Sequence, residues 1–92
     1  MKRALVLCPG RGSYSRDCLG SLSGIQSANL EVFEQTRSKL GRPTPREMDA
    51  ESKFTSKLHV RGENASCLTA AVSLADLDQV DTEAYEICGV IG

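Results

Sequence analysis

The chain has 92 residues, of which 40% are apolar, and its 11 basic and 12 acidic side chains give a net charge of −1 at pH 7. This length allows one small domain or a piece of a larger one, and with two Tyr, two Phe and no Trp the core must be mainly aliphatic. The balanced charge provides no basic stripe for a phosphate backbone, which argues against a nucleic-acid partner.

The first predicted element is a strand over residues 4–8, ALVLC. A continuous apolar run of this kind is typical of a strand buried on both faces. The run is too short before Pro9 for the core of a secretory signal, and no segment approaches the length of a membrane span. We therefore expect a cytoplasmic protein with no membrane segment.

A glycine-rich turn, PGRGS at 9–13, follows this strand. Gly10 and Gly12 form G-x-G, but Ser15 stands where a dinucleotide fingerprint needs its third glycine. Small residues at this place let backbone N–H groups bind an oxyanion at the carboxyl end of a sheet. The alternative is a turn whose glycines are steric only, and the turn taken alone favours that interpretation.

The next element is predicted to be a helix from about residue 27 or 28 to 40. Leu30, Phe33 and Leu40 mark its apolar face, and Gly41 supplies a stop signal.

A polar, highly charged connection, residues 42–63, follows that helix and has room for a short helix inside it. His59 lies in this connection, and we expect it to be exposed. Asn64 is the predicted N-cap of a second helix that runs to about Leu77. Its apolar positions follow helical spacing at Leu68, Ala71, Val72 and Ala75.

A second strand is predicted over residues 85–91, after a joint whose aspartates, Asp76, Asp78 and Asp81, suggest a solvated helix end. The order strand, helix, helix, strand is the crossover of an α/β fold. Strands that are apolar on both faces need neighbours on both edges and helices on both sides. We expect the remainder of a larger domain, or a second chain, to complete this sheet.

The four cysteines show no C-x-x-C pairing and no accompanying cluster of histidines. They are Cys8, Cys18, Cys67 and Cys88, and three of them lie in or beside apolar runs. We expect reduced, buried thiols and no metal site.

Three segments resemble the malonyl-CoA:acyl carrier protein transacylases and the related acyltransferase domains of polyketide synthases. They are PGRGS at 9–13, NASCLTAAVSLADL at 64–77 and YEICGVIG at 85–92. The resemblance covers essentially the whole chain. It implies that residues 1–92 are the N-terminal segment of an α/β-hydrolase-like acyltransferase domain. Gly92 matches the first glycine of the family's G-x-S-x-G nucleophile elbow.

The resemblance implies transfer of a malonyl-type acyl group from CoA to an acyl carrier protein through an acyl-serine, in fatty acid or polyketide biosynthesis. CoA enters as a thioester substrate and no bound cofactor is implied. The serine and histidine of that chemistry lie beyond these 92 residues. The backbone N–H of Arg11 matches an oxyanion donor, and the matching substrate-binding positions are Gly10, Arg11, Gly12 and Asn64.

Two departures from the family pattern leave the acyl specificity open. Arg11 replaces a glutamine, and its cation has two alternatives: pairing with a substrate carboxylate or turning outward to solvent. Asn64 with Ala65 replaces Gln-Pro before the helix. A different class of function also stays open, namely a small stand-alone, non-enzymatic α/β module that binds a ligand or a protein through residues 9–16.

Overall fold

A computed structural model describes residues 2–8, 10 and 13–91 and has two parallel strands with three α-helices between them along the chain. The predicted order of strand, helix, helix, strand is confirmed, and the third helix is the short one for which the connection had room. The elements are β1 (Lys2–Leu7), α1 (Ala28–Lys39), α2 (Pro45–Asp49), α3 (Gly62–Asp78) and β2 (Tyr85–Ile91). A short 3-10 turn at Arg16–Cys18 and a π-helical turn at Ser56–Val60 complete the described elements. The chain is therefore a small mixed α/β fold.

Helix α1 begins and ends where the sequence predicts. The hydroxyl of Ser27 accepts a hydrogen bond from the backbone N–H of Leu30 at 3.1 Å and so caps the helix. Gly41 adopts a φ of +68°, a left-handed conformation that favours glycine and stops the helix. Leu40 was expected on the packed face and this is wrong: as the last residue before that turn it is 64% exposed.

The charged connection contains the short helix for which the sequence left room. Thr44 caps α2 by accepting a hydrogen bond from the N–H of Glu47 at 3.2 Å, and Pro45 occupies the first turn, where its missing N–H costs nothing. Thr55 caps the π-helical turn in the same way, through the N–H of Leu58. The connection is therefore largely ordered by local capping.

Helix α3 begins earlier than predicted, because Asn64 is not its N-cap. Arg61 holds the N-cap position, and Asn64 lies inside the first turn with its side chain buried. The amide of Asn64 donates to the carbonyl of Leu58 at 2.9 Å and accepts from Arg37 at 2.6 Å. Asn64 therefore links α3 to the preceding turn and to α1.

The core lies between the helices, with α3 at its centre. Leu30 of α1 packs with Ala71 and Ala75 of α3, and Met48 of α2 packs with Leu68. Partly buried Val72 contacts both groups and joins them into one interior. The apolar spacing predicted for the second helix is thus confirmed.

The two strands form a parallel sheet whose register shifts once, between Ala4 and Leu5. Ala4 pairs with Ile87 and Leu5 pairs with Gly89, so Cys88 lies at a bulge and its thiol donates to the carbonyl of Ala4 at 3.3 Å. A Cβ at residue 89 would lie 3.1 Å from Leu5 Cδ2, so a larger residue there would require the Leu5 side chain to move slightly.

The prediction that both strands are buried on both faces is wrong for the described residues. Leu7 is 72% exposed and Val90 is 66% exposed, because the described helices pack mainly on one another and leave much of the sheet surface uncovered. Cys8 and Cys88 are exposed for the same reason, against the expectation of burial, while Cys18 and Cys67 are partly buried; all four thiols are free.

Candidate functional site

The turn that follows β1 lies at the carboxyl end of the sheet. The N–H of Cys8 donates to the carbonyl of Ile91 at 2.7 Å and extends the parallel ladder by one step beyond β1. Ser13 then closes the turn, since its N–H and its hydroxyl both donate to the carbonyl of Gly10, at 3.2 and 2.6 Å. Because the strands are parallel, this turn and the end of β2 occupy the same edge of the sheet.

The predicted oxyanion donor, the N–H of Arg11, belongs to this turn but lies outside the described residues. Arg11 and Gly12 lie outside the described residues, as do Pro9 and Gly92. Gly10 is described and exposed, and a Cβ added to it would meet no atom within 4 Å. The roles predicted for Gly10, Arg11 and Gly12 therefore stay predictions.

A groove of about 550 Å³ opens between β1 and α3, beginning beside Ser13. The strand wall of the groove is apolar and is formed by Leu5, Val6 and Leu7. The opposite wall, formed by α3 and the residues just after it, is mixed, and its apolar members are Val72, Leu74, Leu77 and Val80. The remaining described lining residues are polar or sulfur-containing: Cys8, Ser13, Tyr14, Cys18, Thr69, Ser73 and Asp76. This volume is in the range of ligand sites, which are commonly apolar with a few polar groups.

Tyr14 anchors the segment after the turn to α2. Its hydroxyl donates to the Asp49 carboxylate at 2.5 Å, and the other oxygen of Asp49 accepts the backbone N–H of Leu22 at 2.9 Å. Burial, reinforced by the hydrogen bond to Asp49, raises the pKa of Tyr14 above its ordinary value. Tyr14 therefore keeps its proton at neutral pH and serves as a hydrogen-bond donor, not as a base.

His59 is buried, and the prediction that it is exposed is wrong. Its Nδ1 accepts the N–H of Thr55 at 3.0 Å and its Nε2 lies 2.7 Å from the carbonyl of Met48. The ring stacks on Phe54 at 4.9 Å and on Tyr14 at 6.3 Å between centroids. With both nitrogens held by the backbone, His59 is a structural residue that joins the π-helical turn to α2.

Asn64, the remaining predicted substrate-binding residue, is buried beneath α1 and not on the groove. Its amide is engaged by Arg37 and Leu58, and Arg37 also donates to the carbonyl of Pro43 at 2.8 Å. A substrate role for Asn64 stays a prediction. The described geometry gives it a structural role that the sequence did not reveal.

Among the described residues, no three or more His, Cys, Asp or Glu side chains lie close enough together to hold a metal ion. Burial raises the pKa of the Cys67 thiol, so this cysteine is a poor nucleophile at neutral pH.

Sequence reasoning also missed the pairing of Tyr14 with Asp49, which are 35 residues apart. No short-range signal connects two residues at that distance.

Comparison of the chain with protein-family models, with curated proteins and with solved structures gives no significant match. Within the described residues, no helix combines the length and the apolar character that crossing a membrane requires.

Proposed function

We propose that this chain forms the N-terminal part of an α/β-hydrolase-like acyltransferase domain that moves a malonyl-type acyl group from CoA to an acyl carrier protein in the cytoplasm. The proposal rests on the resemblance of three segments to that family. One observation of the fold supports it. Adjacent parallel strands bring the turn at Gly10 and the end of β2, Ile91, to one edge of the sheet. Acyl transfer needs an oxyanion donor and a nucleophile from two such neighbouring loops.

The contribution of this chain would be one wall of the oxyanion hole. The negative charge that develops on the thioester oxygen is best held by backbone N–H groups in a turn with little side-chain bulk. Arg11 between Gly10 and Gly12 supplies such an N–H. The acyl-serine would form on a serine outside these 92 residues and would pass its acyl group to the carrier thiol.

The exposed apolar side chains of β2 support the proposal that another element packs on the sheet. Val90 and Ile91 of β2, which do not line the groove, are each more than half exposed, and apolar surface of this kind is stabilised by burial against further strands or helices. In the proposed enzyme, the rest of the domain or a second chain would cover it.

The first test of this proposal follows the coding sequence past Gly92. The transcript should continue with x-Ser-x-Gly, and the intact mass of the native protein should exceed that of the 92-residue chain. A native protein of only 92 residues would contradict the proposal. It would favour the stand-alone binding module, for which the self-contained helical core is the supporting observation.

The second test compares two substitutions in the complete protein. Gly12→Val should lower transfer of radiolabelled malonyl from CoA to the carrier protein about 10²–10³-fold, because a branched side chain restricts the turn and displaces the donor. Arg11→Gln keeps the N–H and should preserve acyl-serine formation. Circular dichroism provides the folding control. Normal transfer by a folded Gly12→Val variant would overturn the role of this turn.

A further inference from the structure

We propose that the groove between β1 and α3 binds an extended, uncharged aliphatic chain. This inference does not depend on acyl transfer, since it rests on the size of the groove and on the described residues that line it. The groove has a volume of about 550 Å³. Its α3 wall runs from Thr69 to Leu77, which corresponds to about 12 Å of helix.

The shape of the groove suits a chain that lies along the helix. Leu5 and Leu7 form part of the strand wall and remain 59% and 72% exposed. Val72 and Leu77 face the groove from α3. Apolar side chains that face one another from two walls gain most from a ligand that contacts both walls along its length.

Three of the four described hydroxyls that line the groove are already hydrogen-bonded within the protein, and the fourth, Thr69 Oγ1, is buried without a partner and is left as one uncharged donor. Tyr14 donates to Asp49, Ser13 donates to the carbonyl of Gly10, and Ser73 donates to the carbonyl of Thr69 at 2.7 Å. These hydroxyls are therefore not available as donors to a polar headgroup. Specific recognition of a phosphate or a sugar is disfavoured in consequence.

The charge around the groove selects against an anion. Asp76 is the one residue of the Asp, Glu, Lys and Arg types among the described lining residues. Its carboxylate repels a negatively charged headgroup. A neutral ligand avoids this repulsion, so the preferred class is an aliphatic alcohol, ester or thioester chain and not a free fatty acid.

Titration calorimetry with decanol and with decanoate at pH 7, both below the concentrations at which they aggregate, tests this assignment on the 92-residue chain. Decanol should bind with a stoichiometry of one, and decanoate should bind several-fold more weakly. Asp76→Asn should narrow that difference, because the repelling charge is lost while the size is kept; the cost of removing the decanoate charge from water remains. Absence of decanol binding, or equal affinities for both ligands in the parent protein, would overturn the proposal.

Two leucine substitutions locate the binding. Leu7→Ser removes an exposed apolar wall and should weaken decanol binding several-fold, while Leu40→Ser, at a comparably exposed position outside the groove, should leave binding unchanged. Circular dichroism checks that both variants stay folded. An equal effect of both substitutions would contradict a site in the groove. So would a parent protein that forms a dimer through Leu7 and binds no decanol, since the occupant would then be a second copy.

Discussion

The helical region, residues 14–78, buries many of its apolar side chains, whereas the sheet formed by β1 and β2 leaves most of its apolar side chains exposed. All residues that are buried in the described part of the chain lie between Tyr14 and Ala75. Leu30, Met48 and Leu68 have no exposed surface, whereas Leu7 and Val90 on the strands are largely exposed. One region is stabilised by its own interior and the other presents apolar surface outward.

Because of this difference, the helices contribute most of the stability, while the sheet provides the exposed apolar surface. Stabilisation by the hydrophobic effect scales with the apolar area removed from water, so the helices carry most of it. A two-stranded sheet is at best marginal alone in water. The exposed side chains of the two strands therefore offer a surface for a partner that contributes little to the stability of the core.

A pair of leucine truncations tests this difference with the largest expected effect. Leu30→Ala should lower the free energy of unfolding by about 2–5 kcal/mol, because it leaves a cavity in the core. Leu7→Ala should change it by less than about 0.5 kcal/mol, since an exposed side chain loses little on truncation. Urea unfolding followed by circular dichroism measures both values. Similar losses for the two variants would remove the distinction between the regions.

Tyr14→Phe tests the link that attaches the segment after β1 to the helices. Removing the hydroxyl leaves one oxygen of buried Asp49 without its partner and should cost about 1–3 kcal/mol. Tyr85→Phe is the matched control, because Tyr85 is 41% exposed and its hydroxyl should contribute little. Equal stability of the Tyr14 and Tyr85 variants would contradict a stabilising link.

The same tyrosine gives a pH dependence with a defined sign. Since folding raises the pKa of Tyr14 above its ordinary value, its contribution is present below about pH 10 and is lost as the pH rises further. The parent protein should therefore lose stability more steeply in alkali than Tyr14→Phe does. Parallel pH profiles of unfolding for the two proteins would show that this hydroxyl is not responsible.

A smaller effect is expected at the N-terminus of α1. Ser27→Ala removes the cap on Leu30 and the hydrogen bond to Asp78 at 2.5 Å, which should cost about 1 kcal/mol. Ser38→Ala, at an exposed position near the end of the same helix, should have little effect. Thermal melts compare the two variants. A larger loss for Ser38→Ala would show that α1 is not held by its cap.

The sequence predicted the elements of this fold better than the surroundings of their side chains. Local signals predicted α1, because Ser27 caps the start of the helix and Gly41 ends it through contacts close in sequence. The apolar run at residues 85–91 likewise predicted β2. His59 and Asn64 were misjudged, since their burial depends on α2 and α1, which no local pattern connects to them. The exposure of the strands depends on which elements cover the sheet, and a strand's own residues do not report that.

The candidate site was predictable only in part. The position of the Gly10 turn at the carboxyl edge of a parallel sheet follows from a strand and a crossover. The groove did not follow, because it depends on the distance between Leu7 of β1 and Val72 of α3. That distance is set by tertiary packing.

Hydrogen exchange measured by mass spectrometry tests the central claim most directly, namely that the helices are stable on their own and the sheet is not. Peptides from α1 and α3 should exchange only through global unfolding, while peptides covering residues 2–8 and 84–91 should exchange through local opening at much lower free energy. Decanol should slow exchange in β1 and leave α1 unchanged. Equal protection of strands and helices in the free chain would contradict the account.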